Sequence, residues 1–158
     1  MSKRPKQGIQ PPPGKHARQG VSPEIARIPR LASDPSQVNR MTPVWKIGHL
    51  DADGRWGHAK IDAATLWRQI FPKMKQYEAM TWNEIARDRH RNHSVAVVEL
   101  VREARDRLEE LHIDDVEELF RFRLTGTQRV WGIRDRDAFY ILWWDPNHEI
   151  CPSHKTHT

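Results

Sequence analysis

Residues 138–144 read AFYILWW, seven positions without a charge. Asp135–Asp137 stands on one side of the run and Asp145-Pro146-Asn147 on the other. A short apolar and aromatic run enclosed by turn residues is what a buried strand requires, so a β-strand is expected over Ala138–Trp144. Arg129–Arg134, RVWGIR, precedes it across a tight turn and predicts an antiparallel partner. Before that, Phe120, Phe122 and Leu124 alternate with Arg121 and Arg123. Side chains alternate between the two faces of a sheet, so this third strand turns an apolar face one way and guanidinium groups the other. The expectation is a three-stranded antiparallel meander with an arginine-bearing, solvated face.

The rest of the chain fits around that meander. Val44–Leu50 and Arg55–Ile61 flank Asp51-Ala52-Asp53-Gly54, turn chemistry that suggests a β-hairpin. Asp62 caps a helix in which Leu66, Ile70, Met74 and Tyr77 share one face, and Pro72 should kink or split it. Thr81 and Glu84 have capping-box spacing and start a short helix to about Asp88. Arg87–His93, RDRHRNH, reads as a polar loop. A helix is then expected over Val97–Leu111, with Val97, Leu100, Val101, Ala104, Leu108 and Leu111 as its apolar stripe. Residues 94–118 hold nine Asp/Glu against three Arg, so the outer face of that helix is acidic. The order β-β-α-α-α-β-β-β is that of an α+β domain: an antiparallel sheet with helices packed on one face.

Charge divides the 158 residues unequally. Residues 1–41 carry eight Lys/Arg and two Asp/Glu, a net of +6; the remaining eighteen against nineteen give −1. Residues 1–42 also hold seven of the eleven prolines. They read as a disordered basic arm, with 43–152 as a single domain and 153–158 as a flexible tail. The basic balance therefore belongs to the arm, and it does not make the domain a nucleic-acid binder. No apolar run approaches the roughly 18 residues that span a bilayer. No apolar core follows the basic residues at the N-terminus, so neither a membrane partner nor a signal peptide is expected. Cys151 is the single cysteine, which excludes an intrachain disulfide and fits a reducing, cytoplasmic compartment. Seven tryptophans are most simply core residues.

Four groups of residues have chemistry to offer. Arg121, Arg123, Arg129 and Arg134 lie on the C-terminal strands. They either hold phosphates, through the fixed fork of the guanidinium, or pair with carboxylates of the acidic helix. His148 follows Asp145-Pro146-Asn147 at a strand end, where an imidazole serves as general acid or base unless the segment is only a turn. His148, Cys151, His154 and His157 recur every third residue, a spacing that fits no common zinc module. His90 and His93, with Arg87, Arg89 and Arg91, form either a phosphate-contacting loop or a solvated one. Phosphate-loop, GxSxG, HExxH and CxxC patterns are missing, so neither nucleotide-driven nor serine-hydrolase chemistry is indicated, and no cofactor is expected.

The helices followed by FRFRLTGTQRVWGIRDRDAFYILWWDPNHEI resemble, over roughly Val97–Ile150, the end of toxins of the RelE/ParE superfamily. The resemblance implies the toxin of a bacterial toxin–antitoxin pair, with an antitoxin protein as partner. A RelE-like member would be a metal-independent endoribonuclease acting on mRNA at the ribosome; a ParE-like one would act on gyrase. The family's basic strand positions fall on Arg121, Arg123 and Arg129, and its late-strand aromatic or histidine on Tyr140 or His148. The runs PVWKIGHLDADGRWGHAKIDAATLW and WWDPNHEICPS also resemble an uncharacterised bacterial protein family of mobile elements, which implies no activity. The alternative to catalysis is an adaptor that binds nucleic acid or protein through the arm and the meander edge. The two are separated by whether the meander arginines are consumed by the acidic helix.

Overall fold

The computed structural model describes residues 34–153. Five strands form one sheet: β1 (Val44–Lys46), β2 (His93–Ala96), β3 (Glu118–Arg123), β4 (Arg129–Asp135) and β5 (Ala138–Asp145). Their order is β1-β5-β4-β3-β2; all pairs are antiparallel except β1 with β5. The fold is α+β, as expected, and the meander β3-β4-β5 forms within a residue or two of its expected bounds.

Both faces of the meander are covered. Phe120, Phe122, Val130, Phe139 and Trp144 pack with Ile70, Met74, Trp82 and Ile85. These come from helices α3 (Phe71–Glu78) and α4 (Trp82–Arg87) and the turn before α3, the helical layer on one face. On the other face Val95, Leu119, Trp131, Ile133, Leu142 and Trp143 pack with Ala104 and Leu108 of helix α5 (Arg102–Glu110). Five of the tryptophans, at 56, 82, 131, 143 and 144, are buried.

Local sequence explains the helical pieces. Asp62 accepts a hydrogen bond from the Thr65 N–H and caps α2 (Ala63–Thr65). Leu66–Ile70 then forms a π turn, in which the Phe71 N–H reaches the Leu66 carbonyl. The wider turn lies just ahead of Pro72, whose ring has no N–H and would crowd the carbonyl four residues back in a regular helix. Thr81 and Glu84 close a reciprocal capping box on α4.

Several expectations are corrected. The hairpin over 44–61 does not form. Asp51 does shape a turn, accepting from the N–H groups of Asp53 and Gly54. The flanking backbone, however, bonds β5: Asp51 N–H to the Leu142 carbonyl, and Trp144 N–H to that of Trp56. The helix begins at Arg102, since the N–H groups of Val97 and Val101 are taken by the carbonyls of Glu117 and Ile150. His93 lies in β2, not in a loop. Of the arm, residues 1–33 lie outside the described residues, but Pro35–Val38 forms a helical turn, α1, and Val38 is buried. The tail from 154 is likewise outside. Among the described residues no helix is long and apolar enough to cross a membrane.

Candidate functional site

Strand register assembles the basic residues. His93 pairs with Arg121 across β2 and β3, and Arg121 with Trp131 across β3 and β4. Two pairs further along, Arg123 lies opposite Arg129, and Arg129 opposite Asp145. Directly paired residues in antiparallel strands share a face, with Cβ atoms about 5 Å apart. His93, Arg121, Arg123, Arg129 and Asp145 therefore form one patch, on the same face as Trp131 and at the end of the sheet where β5 runs out.

The patch is not the solvated face that alternation alone suggests. Arg121 and Arg129 are buried and Arg123 is half-buried. Arg121 lies 5.8 Å from the centroid of the Trp131 ring. Arg129 donates from Nη1 to the carbonyls of Gly126 (2.8 Å) and Gln128 (3.0 Å). The Nε groups of Arg121 and Arg129 are buried and have no acceptor among the described residues. No carboxylate among the described residues is within ion-pair distance of Arg121, Arg123 or Arg129. Three of the four acidic groups of α5 are used elsewhere: Glu103 binds Arg55, Asp106 binds Arg102 and Glu110 binds Arg107.

Burial pushes the Arg129 guanidinium down to about 10, with Arg121 and Arg123 adding repulsion. It stays charged at neutral pH. Burial lowers Arg121 too. Asp145 offsets part of that repulsion, and the cluster is otherwise a set of desolvated guanidinium groups with unused donors, a state that an anion relieves.

His148 joins the cluster through the turn after β5. Asp145, fully buried, accepts from the N–H groups of Glu149 and Ile150 and folds that turn back. His148 adopts a φ of 57° there. Arg121 Nη1 lies 2.6 Å from His148 Nε2. A guanidinium only donates, so Nε2 is the acceptor and a neutral ring carries its proton on Nδ1. Burial, then Arg129 and Arg121, lowers the affinity of His148 for a second proton.

Of the residues singled out in the sequence, Arg121, Arg123, Arg129 and His148 come together. Tyr140 does not. It pairs with Ile133, and its ring lies tilted against that of His49, with centroids 5.2 Å apart. Five residues of strand separate it from Asp145, about 16 Å at the usual rise. Arg134 is on the opposite face, 4.0 Å above the Trp82 ring and bonded to Asn39 Oδ1. Among the described residues no three candidate metal ligands converge, and His154 and His157 lie outside them.

Two supports were not visible in the sequence as site residues, and a third, His93, was read there only as part of a phosphate-contacting or solvated loop. Asn92, buried, accepts at Oδ1 from the Arg123 N–H (3.0 Å) and from the Tyr77 hydroxyl (3.1 Å). The single Tyr77 hydroxyl proton is shared with the Arg123 carbonyl, the nearer acceptor, which ties α3 to the end of β3. His93 brings a second imidazole to Arg121. Its signal is the alternation of His93 and Val95 against Ser94 and Ala96, masked by the basic residues before it.

Residues 60–158 match the model of the family described as Uncharacterised protein UU032. The chain belongs to that family. The matched span contains every residue of the arginine cluster and begins beyond β1. No curated protein and no solved structure matches the chain.

Proposed function

We propose that the protein is a RelE-like endoribonuclease, the toxin of a toxin–antitoxin pair, acting on mRNA. The observation that carries this reading is that Arg121, Arg123 and Arg129 share one patch without a carboxylate partner among the described residues. Had the acidic groups of α5 consumed them, no phosphate site would remain. Guanidinium groups bind phosphate oxygens in a fork, and in a partly dehydrated patch they offset charge that develops on the phosphorus oxygens as the bond breaks. A neutral imidazole beside them supplies proton transfer to or from the 2′-hydroxyl or the leaving oxygen. His148 is at hydrogen-bond distance from Arg121, and Tyr140 is too far to take that part.

A protein partner is favoured by a separate feature. A groove of about 500 Å³ between β1, β5 and α3 is lined by apolar side chains including Trp45, Ile47, Phe71 and Trp144. Trp67 beside Phe71 is 66% exposed. An antitoxin, or another protein in the adaptor reading, would cover such a surface.

The test is expression in a bacterial host, with and without the paired change Arg123→Ala and His148→Ala. The unchanged protein should arrest growth and cleave transcripts, and the variant should do neither. Arrest without cleavage would favour gyrase as the target. No toxicity from the unchanged protein, with no cleavage of RNA on or off ribosomes, would remove the nuclease reading and leave the adaptor.

A further inference from the structure

Two imidazoles flank Arg121, and their hydrogen bonds differ. His148 gives its Nε2 lone pair to Arg121. His93 does the reverse: its Nδ1 lies 2.6 Å from the Arg89 carbonyl, which only accepts, so Nδ1 carries the proton. In the neutral ring Nε2 then holds a lone pair, and it has no partner among the described residues. His93 sits opposite Arg121 in the register, on β2, with no further strand beyond it in the sheet. A polymer can thus reach it from the open edge while its phosphate meets the guanidinium groups.

We propose that His93 is the base of the site and that His148 is the residue that positions Arg121. This rests on the endoribonuclease reading above and moves its proton transfer from His148, whose Nε2 lone pair is taken by Arg121, to His93. The 2′-hydroxyl proton passes to His93 Nε2, and the 2′-oxygen bonds phosphorus. The P–O5′ bond breaks, and the 5′-oxygen takes its proton from solvent water. The products are a 2′,3′-cyclic phosphate and a 5′-hydroxyl, and His93 returns its proton to solvent. Arg121 and Arg129 face His93 from β3 and β4, Glu99 from the turn after β2, and the Arg89 carbonyl from the preceding loop. Burial and the arginines favour the neutral, basic form, against Glu99 and the carbonyl.

Two measurements on the full chain test this. In RNA cleavage, His93→Gln should lower kcat by about 100-fold or more and abolish the acid limb of the pH–rate profile. His148→Leu should act mainly on KM, and His148→Gln, whose amide oxygen still accepts from Arg121, should recover part of that loss. Loss from Arg123→Ala but an unchanged profile in His93→Gln would overturn the inference and leave the nuclease reading standing. The second measurement needs no turnover: imidazole ¹⁵N NMR with a 2′-deoxy-substituted RNA octamer as probe. The Nδ1–H tautomer is expected at both histidines in the free protein. The probe should raise the titration midpoint of His93, because a phosphate beside Nε2 favours the imidazolium. A His93 that shows the Nε2–H tautomer, or no response to the bound probe, would overturn the assignment even if no RNA is cleaved.

Discussion

At Asp51 a single carboxylate joins three parts of the chain. It accepts Arg107 Nε at 2.9 Å and Nη2 at 2.7 Å, Trp143 Nε1 at 3.0 Å, and the N–H groups of Asp53 and Gly54. Gly54 is required beside it, since a Cβ there would come within 2.2 Å of Asp51 Oδ2. The sequence shows Asp51 as a turn residue, which it is, but not the guanidinium 56 positions away. The Arg107 hydrogen bonds hold the Asp51 carboxyl well below the usual carboxylate range, with Trp143 and the Gly54 N–H adding to the effect. A depressed folded-state pKa means that the contribution is complete above about pH 4 and is lost as pH falls from there through the folded value. Asp51→Asn should therefore lower stability at pH 7 by about 3 kcal/mol, because it leaves Arg107 without its buried partner. The acid-side fall in the urea midpoint should also be shallower in that variant than in the unchanged protein. A steeper one would mean that another carboxylate governs acid unfolding.

Among the elements, β5 was the most legible and still held a surprise. Its bounds follow from an apolar run between turn residues, and both its faces are buried as that run requires. Strict alternation would place Leu142 and Trp143 on opposite faces. The register shifts instead: Trp131 faces Trp143 while Gly132 faces Ile141, which leaves Leu142 as the extra residue of a bulge. Leu142 and Trp143 consequently enter the same core, with Trp131 and Leu108. Gly132 explains the tolerance for this, since a Cβ at that position would meet the Tyr140 carbonyl at 2.2 Å. Leu142→Ala should cost about 3 kcal/mol in urea unfolding. Trp143→Ala should cost more, since it also removes the indole donor from Asp51. Equal small losses from both would place the strand at the periphery. The elements that sequence reading misplaced are those held by distant backbone. Parallel β1 pairs with β5 across more than ninety residues, and the Val97–Val101 stretch is bonded to Glu117 and Ile150. Apolar spacing there matched a helix because the same side chains do face the α5 core.

On the scale of the whole molecule, the arginine patch was legible one strand at a time but not as an assembly. Period-two spacing put Arg121 and Arg123 on one face. Placing Arg129 beside them needed the four-residue loop 125–128; strand length shows only that one of Tyr140 and His148 is near, and the pairing of Arg129 with Asp145 decides for His148. Composition could not show that two of these guanidinium groups would be buried, or that His93 would close the row. Composition also set the domain edge too late. Residues 34–42 look like the arm by their charge and polarity, yet they cap α4. The N–H groups of Trp82 and Asn83, unpaired within the first turn of any helix, are taken by the carbonyls of Met41 (2.9 Å) and Asn39 (2.8 Å). Asn39 Oδ1 accepts from Arg134, and Pro43 is buried. Removing this segment would expose or orphan two helix donors, at about 1–3 kcal/mol for each one left buried. Limited trypsin digestion should accordingly spare the Arg40–Met41 bond, and the stable fragment identified by mass should begin no later than Asp34. A chain started at Pro43 should unfold at a lower urea concentration than one started at Asp34. A protease-resistant core with Met41 as its first residue, and equal midpoints for the two chains, would return the boundary to where composition alone puts it.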